Sequence, residues 1–193
     1  SSIAENATSI SVTLSGSAST SDYEDALKAI TFSNSSDDPD TTNRTITIKI
    51  NDGTVDSAGA VGTISVQATN DLPTLDLDAS ADGTSYSTTY VEGGSAVEIA
   101  DSDIAIADAD NEPIASATIT LSNKKTGDVL NVGSLPTGIT ASTAEPANSI
   151  QVTLSGSATA ADYQTAIRAL TFENSQSTPD STDRVFNLSL IHI

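Results

Sequence analysis

Hydrophobic residues return at two spacings along this chain. Ile10, Val12 and Leu14 alternate with Ser and Thr, and Ile150, Val152 and Leu154 repeat the pattern. A period of two predicts half-buried strands over residues 9–14 and 149–154. The period then lengthens. Tyr163, Ala166, Ile167 and Leu170 fall at i, i+3, i+4 and i+7, as do Tyr23, Ala26, Leu27 and Ile30. That spacing turns one face of a short helix toward a core. Ser19 or Thr159 stands where a cap belongs, with Asp22 or Asp162 in the first turn. Tyr163 is therefore read as a packing residue. A polar loop is expected after Thr171-Phe172, and a new strand from Arg184. Residues 44–50 and 62–68 read as strands around the turn Asn51-Asp52-Gly53. Pro73 suits the start of an edge strand over 74–77. Val91, Val97 and Ile99 suggest a further pair of strands broken by Gly93-Gly94, and Ala117, Ile119 and Leu121 alternate cleanly. Residues 123–128 read as a turn and 135–138 as a loop.

The two sets of elements are copies. Residues 5–49 lie over 145–189 without a gap, and 23 of the 45 positions are identical. Residues 12–18 return unchanged as 152–158; Asp22-Tyr23, Thr31-Phe32, Pro39-Asp40 and Arg44 return as Asp162-Tyr163, Thr171-Phe172, Pro179-Asp180 and Arg184. A period this long implies an array of whole domains, because solenoid repeats are much shorter. Residues 1–69 read as the back half of one module and 70–189 as most of the next, with the boundary at Thr69-Asn70-Asp71-Leu72-Pro73. Where the first copy runs from Arg44 through Ile46, Ile48 and Ile50 into Asn51-Asp52-Gly53, the second ends in Ile191-His192-Ile193. Residues 188–193 match one reading frame of the mosaic-end adapter of transposase-based sequencing libraries. Residues 190–193, or on the widest reading everything from 188, are thus expected to be adapter read-through. His192 would then carry no functional weight.

Composition narrows the fold. Hydrophobic residues make up 37%, with three Phe, four Tyr and no Trp. A lean core of Val, Ile, Leu and Ala in a Ser/Thr-rich chain suits an all-β fold of antiparallel sandwich modules in tandem, each with one short helix. No cysteine is present, which excludes disulfides, thiolate metal sites and cysteine nucleophiles. Nucleophilic triads need a base that this chain does not supply. Carboxylate-pair glycoside chemistry usually comes with aromatic platforms, and aromatics are only 4%. The expectation is a non-enzyme. A net charge of −19 argues against nucleic acid and anionic membranes as partners. No run is long enough to span a bilayer.

The acids cluster. Asp101, Asp103, Asp108, Asp110 and Glu112 fall within twelve residues that contain no base. Two carboxylates 4–5 Å apart repel by about 3–4 kcal/mol at an effective dielectric near 20. A calcium ion between them would reverse the sign, since it takes hard oxygen ligands. The alternative is an Asx-turn loop with its carboxylates in water.

Asn70-Asp71-Leu72-Pro73 resembles the linker of cadherin-type repeats, Val91-Glu92 their early-strand Glu, and Asp108-Ala109-Asp110 their Asp-any-Asp motif. The whole module is similar to the cadherin-like repeats of very large bacterial surface adhesins, many of them exported by type I secretion. The resemblance implies an extracellular, non-catalytic extender whose joints bind Ca2+. Its partners would be neighbouring repeats of the same chain, with the distal surface ligand unspecified. Asn70, Asp71, Asp108 and Asp110 would hold the ion at this joint, Glu92 would serve the next one, and Asp101 and Asp103 are further acidic candidates. Asp37, Asp38 and Asp40 would come from the preceding module. The other functional reading is a glycan- or protein-binding adhesion module, for which Tyr86 and Tyr90 are the aromatics outside the repeated helix.

Overall fold

A computed structural model describes residues 1–6 and 8–192; Ala7 lies outside them, as does Ile193, the last residue of the adapter-like tail. The first copy forms three local pieces. β1 (Ser2–Asn6) pairs with β2 (Ser9–Thr13), the helix α1 (Thr20–Lys28) follows, and β3 (Arg44–Ile48) pairs with β4 (Ala60–Ile64). Among the described residues of 1–69 none is buried.

The remaining residues build a core. In chain order they form β5 (Thr74–Asp76), β6 (Val97–Glu98), β7 (Ala105–Ala107), β8 (Ile114–Leu121), β9 (Asp128–Val132), β10 (Thr140–Ala144), β11 (Ile150–Ala158), α2 (Ala160–Arg168), β12 (Leu170–Asn174) and β13 (Phe186–His192). One sheet runs β10-β11-β8-β13, a second β6-β12-β9, and β5 pairs with β7; every pairing is antiparallel. The fold is all-β with two short helices. Inward residues of β8 (Ile114, Ala117, Ile119, Leu121) and β11 (Ile150, Val152, Leu154) meet Leu130, Leu170 and Phe172 of the second sheet in one hydrophobic cluster.

The helix reading holds in detail for α2, whereas α1 forms with the same cap but buries none of Tyr23, Ala26, Leu27 and Ile30. Thr159 caps α2 and Asp162 returns the bond, a capping box that Ser19 and Asp22 repeat in α1. Tyr163, Ala166, Ile167 and Leu170 are all fully buried. The Tyr163 hydroxyl donates to the Gly156 carbonyl at 2.8 Å, and Tyr23 makes the same bond to Gly16. Burial pushes the Tyr163 phenol up from its ordinary pKa. Gly156 sits at φ +141, where β11 breaks register against β8. A Cβ there would run into the Gly138 carbonyl.

Three expectations change. Residues 170–174 are a strand, not the start of a loop, because β6 and β9 flank them and hydrogen-bond to both edges. The equivalent residues of the first copy have no such neighbours and form no strand. Val91 is 67% exposed and lies in a turn, so the expected pair over residues 91–99 reduces to the two-residue β6. The strand placed at 62–68 is β4, which begins two residues earlier and ends at Ile64, four residues sooner than expected.

Candidate functional site

β7 separates the acids that looked like one cluster. Asp101 and Asp103 stand before it, Asp108 and Asp110 after it. Asp101 folds on itself as an Asx turn, accepting the Ser102 hydroxyl at 2.9 Å and the Asp103 N–H at 3.3 Å. Those hydrogen bonds, the Ser102 hydroxyl first, hold its carboxyl below the ordinary carboxylate range. Its own N–H donates to Leu77, which fastens the turn to the residue after β5. Glu92 lies in the exposed turn that closes with Gly94 N–H donating to Val91. The structure therefore does not bring Asp101, Asp103 and Glu92 to the other candidates. Asp40 stays local, accepting the Thr42 N–H at 2.7 Å and lying 3.7 Å from Arg44.

Asn70, Asp71, Asp108 and Asp110 do converge. Asp108 Oδ1 accepts the Asp110 N–H at 3.0 Å and the Glu112 N–H at 3.4 Å, which curls the segment back on itself. Asp110 Oδ2 then accepts the Asp71 N–H at 2.5 Å, tying the linker to the turn. His192, at the end of β13, completes the cluster. Its Nε2 lies 3.2 Å from the Asn70 amide nitrogen and its Nδ1 3.2 Å from Asp108 Oδ2. The side chains of His192 and Asp108 are only 6% and 3% exposed. Nδ1 and Oδ2 are close but not aligned for a hydrogen bond, so both are buried without a partner. Among the described residues no three His, Cys, Asp or Glu side chains form a ready metal cage. The oxygen donors at hand are the Asp108 and Asp110 carboxylates and the Asn70 carboxamide, while Asp71 takes part through its main-chain N–H.

One charged pair escaped the sequence reading. Asp128 is fully buried and accepts from Arg184 Nε at 2.7 Å and Nη2 at 3.0 Å, from Asn174 at 2.7 Å and from the Lys125 N–H at 2.8 Å. Burial pushes its pKa up. The Arg184, Lys125 and Asn174 bonds outweigh that push, and the net shift is downward. The recurrence of Arg44 as Arg184 was the available signal, but nothing in the spacing pointed to Asp128 as its partner.

Tyr86 and Tyr90 line a cleft of about 580 Å³ with Leu77, Ile99, Arg184 and Phe186. Tyr90 is tied into the core: its hydroxyl donates to the Asn174 carbonyl at 2.9 Å, and its ring meets Phe172 edge-on at 5.7 Å. Among the described residues no helix is long and apolar enough to cross a membrane. The chain matches no protein-family model, no curated protein and no solved structure.

Proposed function

We propose that this chain is a calcium-stiffened extender segment of a large extracellular bacterial adhesin, non-catalytic and built of tandem cadherin-like β-sandwiches. Residues 1–69 are the back half of one module and residues from 70 onward the next. The observation that supports this reading is the meeting of the linker with the acidic turn: the Asp71 N–H donates to Asp110 Oδ2 at 2.5 Å, and the Asp110 N–H donates to Asp108, whose side chain is 3% exposed. A divalent cation there would draw on the Asp108 and Asp110 carboxylates, with Asn70 and Asp71 as the linker ligands that the resemblance implies, all of them hard oxygen donors of the kind calcium takes. The ion would fix the linker to the top of the module. Ions bound only in the aligned state stabilise that state by their binding free energy.

The repeat supports the same reading. Subtracting the 140-residue offset from His192 leads to Asp52, within Asn51-Asp52-Gly53. An aspartate in the place of the imidazole would add a third carboxylate beside Asp108 and Asp110.

The test is a thermal melt with small-angle scattering, in calcium and in EDTA, on the protein, Asp108→Asn and His192→Asp. At a calcium concentration 100 times Kd the ion should add about 2.7 kcal/mol, a rise in Tm on the order of 10 °C. The particle should lengthen and stiffen. Asp108→Asn should lose the response and His192→Asp should reach it at lower calcium. If calcium changes neither the protein nor His192→Asp, the acids are a solvated face and the joint is not ion-locked.

A further inference from the structure

Residues 74–139 meet the second copy along the inner faces of two sheets, and the first copy carries the same contact residues. Ile150, Val152 and Leu154 stand opposite Leu121, Ile119 and Ala117 of β8, and Ile10, Val12 and Leu14 hold the equivalent places. Tyr163 and Ala166 recur as Tyr23 and Ala26. Ile167 and Leu170 become Leu27 and Ile30, swaps that conserve volume. Phe172, opposite Leu130 of β9, recurs as Phe32.

The polar contacts recur as well. Asp128 accepts from Asn174 and Arg184, whose equivalents are Asn34 and Arg44. Lys124 lies 2.5 Å from Glu145, and Glu5 has that place in the first copy. The Gly138 carbonyl leaves no room for a side chain at Gly156, and the equivalent there is Gly16.

The first copy also has the right local shape. β1 and β2 pair with Ser2 opposite Thr13 and Ala4 opposite Ser11, the register in which Ser142 meets Thr153 and Ala144 meets Gln151. α1 has the capping box of α2, and Tyr23 makes the hydroxyl bond that Tyr163 makes. We propose that residues 74–139 accept either copy as the other half of their core, so that the first copy replaces the second within one chain when the second is pulled or melted away.

Reach permits the exchange. The 26 steps from Ile48, the end of β3, to Thr74 extend to about 85–95 Å, against a diameter of about 35 Å for a domain of this size. Two differences favour the second copy at rest. Gln164 donates to the Ile104 carbonyl at 2.6 Å, and Glu24 as a carboxylate has no N–H to give. Ile46 stands for Phe186 and loses the edge contact with Phe172 at 5.9 Å. The first copy is a reserve. The exchange needs no ion, so it stands apart from the calcium reading of the joint.

The test disables each copy in the full chain. Leu154→Asp with Ile167→Asp puts two unpaired charges at fully buried positions of the second copy, and Leu14→Asp with Leu27→Asp does the same to the first. Amide exchange in β8 reports whether a core forms. The first-copy pair should leave that protection as it is in the unaltered chain. The second-copy pair should melt at a lower temperature, yet keep β8 protected at least about a hundredfold more than the four-site variant does, at every protein concentration. If the second-copy pair is as unprotected as the four-site variant, the first copy does not fill the place and the proposal falls. A protected four-site variant overturns it too, since residues 74–139 would then need neither copy. So does protection that grows with concentration, because the replacement would come from another chain.

Discussion

At the scale of single residues, Gly156 and Asp128 show how the same fold uses backbone space and charge. Gly156 combines φ +141 with direct contact to the Gly138 carbonyl, whereas Gly83 has φ +95 but open space where a Cβ would go. Gly83→Ala should cost about 1–2 kcal/mol, the backbone term alone. Gly156→Ala must also move a strand, and should cost on the order of 3 kcal/mol or more. Denaturant titration of both variants separates the terms, and equal losses would show that β11 gives way easily. Asp128 is charged and fully bonded inside the protein, with its folded pKa below the ordinary 3.8. Its contribution is therefore present above the unfolded value and is lost as pH falls through the folded one. Asp128→Asn strands the Arg184 guanidinium and should cost about 3–5 kcal/mol near neutral pH. The variant's stability should also fall less steeply than wild type below pH 4. A parallel fall would mean that other carboxylates govern the acid limb.

At the scale of elements, the two copies differ in what surrounds them. β8 is paired on both edges and buried on its inner face, while β1 to β4 form isolated pairs with exposed side chains. Amide exchange at β8 should require global opening, and β1 to β4 should exchange at least about a thousandfold faster. Comparable protection in both regions would show that the first copy finds a partner in solution.

The same contrast explains what was legible in the chain. The capped helix was readable because its cap, its first-turn acid and its apolar face are all local. β8 and β11 were readable because alternation survives wherever one face is buried. β12 was not: Leu170 completed the helical period, and only its neighbours make Leu170–Asn174 a strand. β10, Thr-Ala-Ser-Thr-Ala, is exposed throughout and carries no alternation to read.

At the scale of the whole molecule, the candidate site was half legible. The linker N–H of Asp71 contacts Asp110, Asn70 contacts His192, and His192 lies against Asp108. Asp101 and Asp103 do not join them, since sequence proximity says nothing about the strand β7 placed between. His192 entered the site from the end of β13, through a pairing partner some eighty positions upstream, and no local pattern announces that.

One connection has a bearing on how such a protein is made. β11 and β12 belong to different sheets, yet only Thr159 and Ala169 separate them from the helix that joins them. Their loop closes almost as soon as it is synthesised, whereas β8 waits for a partner as distant as Phe186 is from Leu121. The helix and its two strands should form the folding nucleus, and β13 should be the last piece gathered in. On the proposed tandem reading, each new module emerging from a ribosome would then pass through a stage in which its sheet is still unfinished beside a neighbour of similar sequence.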